Sequence, residues 1–193
     1  MTRPTSAVIK PTYTRSVRNA QGSARYYAGR ANGAGERQQR EAFDKGSDTL
    51  SREDVNGRLE AANEEGNSYY YRFVMSPGTE AEPEGDLKSW TRDVMAELEV
   101  QQGKPLTWAA YEHSGDDAHS GHAHVHVVAA TDRKLDQHDL QALHEVATEA
   151  WERQQAFSRE LERDPMQAET HASERDPTRE SATDHNREGD YER

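Results

Sequence analysis

"PLTWAAYEHSGDDAHSGHAHVHVVAAT", residues Pro105 to Thr131, decides the fold. Its ends, "PLTWAAYEH" and "HAHVHVVAAT", are rich in aromatic, β-branched and small apolar residues. The middle, "SGDDAHSG", is the Gly- and Asp-containing kind of link that joins antiparallel strands. The stretch therefore predicts two adjacent strands of an antiparallel sheet. Side chains alternate between the faces of a strand, so His122, His124 and His126 are predicted on one face and Val125 and Val127 on the other, toward a core.

Outward from this hairpin, "YYYRFVMSP" (Tyr69 to Pro77) reads as a further strand, bounded by Asn67-Ser68 and Pro77-Gly78. Tyr69, Tyr70 and Tyr71 are expected in its core and sheet-surface positions. Leu87, Trp90, Val94 and Leu98 recur at helical spacing and predict an amphipathic helix packed on a core. "SAVIKPTYT" (residues 6–14) predicts a first strand, which Pro11 confines to an edge or ends early. "NAQGSARYYAGR" (19–30) predicts a short helix with Ala20, Ala24, Tyr27 and Ala28 on adjoining positions, and "ANGAGERQQREAFDKGSDTL" (31–50) a loop. "SRED" at Ser51 offers a capping box that uses Asp54. A long helix is expected from Gln137 to near Leu161, with Leu140, Leu143, Ala147 and Trp151 facing inward. The resulting order, roughly β-α-β-α-β-β-α, indicates an α+β fold with a central antiparallel sheet covered by helices.

The chain has 193 residues, enough for one domain, predicted over residues 1–163. From Asp164 onward apolar residues are almost absent, so residues 164–193 are expected to form an acidic, disordered tail. There is no apolar run of membrane-spanning length and no apolar segment of signal-peptide type at the start, so a cytoplasmic location without a membrane segment is expected. The absence of cysteine leaves His, Asp and Glu as the only metal ligands. A formal charge of −12 argues at first against nucleic acid. Yet residues 1–40 carry Arg3, Lys10, Arg15, Arg18, Arg25, Arg30, Arg37 and Arg40 against the single acid Glu36. This end is strongly basic and suits phosphates.

Imidazoles at i and i+2 of one strand lie close enough to share a metal ion, and a hairpin brings His113 beside His124 as a third ligand. His122 is the alternative to His113. Three neutral imidazoles leave coordination positions open, as a catalytic metal site requires. A half-exposed strand also alternates polar and apolar residues without binding anything, but four histidines in related positions outweigh that reading. His119 is a weaker member, and His138, His144, His171 and His185 are expected at the surface. Glu112, Asp116 and Asp117 are candidates to orient a ligand histidine. The HxHxDH pattern of metallo-β-lactamases, the downstream carboxylate of cupins and the paired HxT or HxS motifs of 2H phosphoesterases do not occur.

"HVH" (His124-Val125-His126) resembles the histidine–hydrophobic–histidine strand of the HUH endonucleases, and the chain from about Tyr13 to Trp151 resembles the VirD2-like and MobA-like plasmid relaxases. "ARYYAGR" looks like their tyrosine motif, "YRFVMSPG" with "DLKSWTRDVMAELE" like their second strand and helix, and "WAAYEHSGDDAHSGHAHVHVVAA" like their metal motif. Ala123 stands where that motif usually has proline, and the link after His113 is longer. The resemblance implies an HUH relaxase or ferredoxin-like arrangement and the nicking and rejoining of single-stranded DNA at a plasmid or mobile-element transfer origin through a 5′-phosphotyrosine. It implies metal held by His113, His124 and His126, with Mn²⁺ a better match to nitrogen than Mg²⁺. The tyrosine carry-over falls on Tyr27 with Arg30, and a one-residue shift selects Tyr26. Arg18, Arg25, Arg30 and Lys10 are the expected DNA-binding residues. Relaxases place the tyrosine before the histidine strand and rolling-circle initiators after it, where this chain has only Tyr191. Accessory mobilisation proteins and a separate helicase are the implied partners. The alternatives are an origin-binding module that does not cut and a histidine-rich metal carrier.

Overall fold

The structure is a computed structural model that describes residues 7–31, 35–78, 85–113 and 122–163. The chain separates into two units, Met1–Ala156 and Phe157–Arg193. The second is described only over the end of a helix. Residues 164–193, and with them the expected tail, lie outside the described residues.

Alternation of large apolar residues lays out Tyr69–Ser76 as a strand, β2, with Tyr71, Phe73 and Met75 buried on one face. It pairs with β1 (Val8–Thr14) on one side and β4 (His124–Thr131) on the other, and β4 pairs with β3 (Thr107–His113). The order is β1-β2-β4-β3, and each neighbouring pair is antiparallel. β1 is an edge strand, so Pro11 sits opposite Phe73 within it without ending it.

Two helices lie between β1 and β2, so the order is β-α-α-β-α-β-β-α. α1 (Val17–Gly29) begins earlier than its alanine pattern predicts because Ser16 accepts a hydrogen bond from the Asn19 N–H and caps it. α2 (Arg52–Glu64) starts at the expected capping box between Ser51 and Asp54. α3 (Leu87–Gln102) is capped by Asp86 and stops at Gly103, which takes the left-handed conformation with φ 67°. α4 runs over Gln137–Arg163. Its entry is a second capping box, in which the Asp139 carboxylate accepts from the Asp136 N–H and Asp136 accepts from the Asp139 N–H.

The sheet is buried on both faces. On one, Tyr71, Phe73, Met75, Val125, Val127 and Ala129 pack against Trp90, Val94 and Leu98 of α3 and Leu143, Ala147 and Trp151 of α4. The Trp90 indole donates to the Ala147 carbonyl at 2.8 Å and ties the two helices together. On the other, Tyr70, Ala109, Tyr111, Val128 and Ala130 pack against Ala20, Ala24 and Tyr27 of α1 and Val55, Leu59 and Ala62 of α2. The half-exposed strand that alternation alone would allow is therefore excluded, since β4 is buried along its whole length.

The segment expected as a loop between α1 and α2 contributes to both layers. Ala42, Phe43 and Leu50 are buried, and Phe43 exchanges two backbone hydrogen bonds with Ala110, covering part of the β3 edge. Among the described residues no helix is long and apolar enough to cross a membrane.

Candidate metal centre

His124 and His126 share the β4 face that α1 and α2 cover, because Val125 and Val127 are committed to the opposite core. The ladder places His113 directly opposite His124. All three imidazoles are buried, and one ring nitrogen from each lies within 4.8 Å of the others. Ring centroids are 5.2 Å apart for His113 and His124, 4.7 Å for His113 and His126, and 4.9 Å for His124 and His126.

Local contacts set the ring states. The His124 Nδ1 lies 2.9 Å from the His122 carbonyl; a carbonyl only accepts, so Nδ1 carries the proton and Nε2 keeps its lone pair. Arg30 Nη1 lies 3.4 Å from His126 Nε2, and since a guanidinium only donates, that nitrogen also presents a lone pair. Three imidazoles on two neighbouring strands suit a divalent ion with affinity for nitrogen ligands; they lack the carboxylates and carbonyls that Mg²⁺ or Ca²⁺ prefer.

The expected residues divide into those that converge and those that do not. His122 is exposed, lies outside β4, and acts through its backbone carbonyl, so its side chain does not take the place of His113. Glu112 pairs with Val125 and so stands on the opposite face from the histidines, which removes it as an orienting carboxylate. His119, His171, His185, Asp116, Asp117 and Tyr191 lie outside the described residues. His138 is exposed and His144 half-buried on α4.

Tyr27 occupies the last turn of α1, where its ring stacks on His126 with centroids 4.2 Å apart and planes inclined by 13°. Burial pushes its phenol up, an effect opposed by the positive charge of Arg72, added to by Tyr26 and opposed again by Arg30. Tyr26, the alternative carry-over, is 59% exposed and turned away from the cluster, with its ring 5.9 Å from that of Tyr27. Tyr111, in the same ladder rung as His126, has its hydroxyl pushed up to about 12 by burial and serves as a wall.

Arg30 is at the site. Lys10 is exposed on β1, two strands from His126 in the same cross-strand row through Val74. Arg18 is not beside the phenol: nine residues of helix separate it from Tyr27, roughly 14 Å along the axis. Arg25 is exposed on α1, away from the histidines.

Arg72 is the residue the sequence reading missed. It shares a face with Tyr70 and Val74, lies opposite Val128, and its buried Nε has no hydrogen-bond partner among the described residues. The available signal was a lone charge in the middle of the most apolar strand. No family model, curated protein or solved structure matches the chain. The geometry by itself provides a phenol, two guanidinium groups and three imidazole donors gathered at one end of a sheet face.

Proposed function

We propose that this chain is a metal-dependent nuclease that nicks and rejoins single-stranded DNA at a transfer origin, the chemistry of the HUH relaxases it resembles. The observation that supports this reading is the stack of the Tyr27 ring on His126, one of three imidazoles able to hold one ion. His113, His124 and His126 would hold that ion, with Mn²⁺ preferred over Mg²⁺ by the donor set. When bound, it supplies a positive charge that polarises a phosphate and offsets charge developing on its oxygens.

The residues of the chain account for the rest. The Tyr27 oxygen attacks phosphorus, its bond to phosphorus forms, and the bond to the 3′ oxygen breaks. The phenolic proton is lost to solvent and the departing 3′ oxygen gains one. One phosphoester replaces another and no water is consumed, so the strand can be rejoined. Phenol is a weak nucleophile near neutral pH, since its ordinary pKa is about 10. Burial raises that of Tyr27 further; Arg72 and Arg30 oppose the rise and can also face phosphate oxygens. His126 fixes the ring by stacking.

The experiment is adduct trapping. Wild-type protein with Mn²⁺ and single-stranded DNA of randomised sequence is expected to yield a DNA–peptide conjugate at Tyr27 by mass spectrometry, absent in EDTA and in His124→Ala. Cutting without a protein–DNA bond, or equal adduct from His124→Ala, would overturn the proposal. The contact between Arg30 and His126 favours one second reading, an origin-binding module in which a guanidinium takes the place of an ion. That reading predicts DNA binding with no Mn²⁺ uptake.

A further inference from the structure

Beside the histidines, a groove of about 1270 Å³ runs between the second half of α1, residues 35–41 and the start of α2. Arg25, Arg30, Arg37, Arg40 and Arg52 line it, together with Tyr26. Among the described residues, Glu41 and Glu53 are the acids that line it. This is a concentration of positive charge in a chain with 36 acidic and 24 basic residues.

Lys45, Arg58, Arg92, Lys104 and Arg133 each hold a carboxylate, on Glu99, Asp44, Asp48, Asp132 and Asp139. Among the described residues Arg25, Arg37 and Arg52 hold none. Lys10, Arg15, Arg18 and Lys134 also hold no carboxylate among the described residues, so what sets the groove arginines apart is that several of them line one concavity. With acids in excess, three guanidinium groups that line one groove and hold no carboxylate among the described residues form a surface complementary to an external polyanion. The groove exceeds the about 300–1,000 Å³ typical of a drug-sized ligand, so a chain of several anionic units fits it better than one small molecule. Its concavity excludes a flat membrane surface.

Two features identify the polyanion. Tyr26 contributes a large exposed ring to the wall, and exposed aromatic rings beside a basic track are stacking surfaces for unpaired bases. Arg30 and Tyr111 belong both to the groove and to the surroundings of His126, so the groove lies next to the metal centre.

We infer that this groove is a track for single-stranded nucleic acid on one side of the Tyr27–histidine centre, with Tyr26 as the platform for a base and Arg25 and Arg52 holding phosphates from opposite walls. The position of the strand relative to a cut site rests on the nuclease proposal; binding in the groove does not. Tyr26 is thereby a recognition residue and not a second nucleophile.

The test is fluorescence anisotropy of a labelled oligo-dT in EDTA, so that binding is measured without cutting, across about 50–200 mM salt. Arg25→Ala/Arg52→Ala is expected to reduce the slope of log affinity against log salt by about 1.4, two phosphates at about 0.7 each. Tyr26→Ala is expected to weaken binding about 5- to 150-fold, with Tyr26→Phe restoring it. Arg153→Ala, exposed on α4, is the charge control. A double variant with the wild-type slope, or a Tyr26→Ala with wild-type affinity, overturns the inference. So does equal affinity for a duplex of the same length, which has no free base to stack. If wild type binds through the groove yet never forms a Tyr27 adduct, the nuclease proposal falls and the track stands; adduct formation with groove-independent binding gives the reverse.

Discussion

Replacing Tyr27 by phenylalanine removes one oxygen and leaves the ring. That ring is stacked 4.2 Å from His126 and lies 6.2 Å from Tyr111, contacts that a phenyl group keeps. Stacking of this kind is worth about 0.5–1.5 kcal/mol beyond burial. The hydroxyl forms no hydrogen bond among the described residues, so Tyr27→Phe forfeits none of the roughly 0.5–1.5 kcal/mol such a bond provides. Tyr27→Ala loses the ring from the layer formed by Ala20, Ala24 and Tyr111, at about 3–5 kcal/mol. Urea unfolding should therefore leave Tyr27→Phe within about 0.5 kcal/mol of wild type and lower Tyr27→Ala by several. In the same preparations, adduct formation and nicking should vanish in both variants, while Mn²⁺ binding persists in Tyr27→Phe. A Tyr27→Phe protein that still forms an adduct at the wild-type rate refutes the assignment of the nucleophile. If Tyr27→Phe is as unstable as Tyr27→Ala, the separation of ring from oxygen is refuted instead.

Three further outcomes follow from the geometry. His124→Ala or His113→Ala should weaken Mn²⁺ binding by calorimetry beyond the about 10–100-fold cost of losing an outer partner, whereas His122→Ala, which keeps its carbonyl, should leave it nearly unchanged. The Asp139 carboxylate accepts from Arg133 at 2.6 and 2.7 Å and from the Asp136 N–H at 2.8 Å, and chiefly the Arg133 hydrogen bond holds its pKa below the usual carboxylate range. A lowered folded value means that the unfolded chain takes the proton first. The contribution is thus complete above about pH 4 and lost as pH falls through the folded value. Asp139→Asn should cost about 1–3 kcal/mol near neutrality in urea titrations and flatten the acid limb of stability against pH. At Gly85, an added Cβ would lie 2.6 Å from the Trp151 Cη2 and 2.9 Å from the Gln154 Oε1, while Gln154 is tied to the Asp86 backbone. Gly85→Ala should cost about 1–3 kcal/mol, seen as a melting midpoint several degrees lower.

The elements that were legible in the sequence are those whose apolar residues recur with the period of the element itself. β2, α3 and α4 bury the predicted Tyr71, Trp90, Val94, Leu143 and Trp151, and Ser51 with Asp54 marks the start of α2. His113 could be placed beside His124 because a hairpin fixes which residues face each other. Residues 35–50 were less legible, since only Ala42, Phe43 and Leu50 anchor them among many polar neighbours. Arg72 escaped notice because a single charge in a strand ordinarily marks a solvated face, and only the tertiary fold turns that face toward Tyr27. The distance of Arg18 from the phenol, by contrast, was legible once its nine-residue offset from Tyr27 is counted along a helix.

Because Val125 and Val127 anchor one side of β4 while the imidazoles occupy the other, sliding β4 by a single position would turn its donors toward the tryptophans and its valines toward α1 and α2. The spacing of the three nitrogens is thus inherited from the oily interior rather than from the stretch joining the strands. Substitutions that keep Val125 and Val127 apolar would therefore carry the grip formed by the ladder along intact.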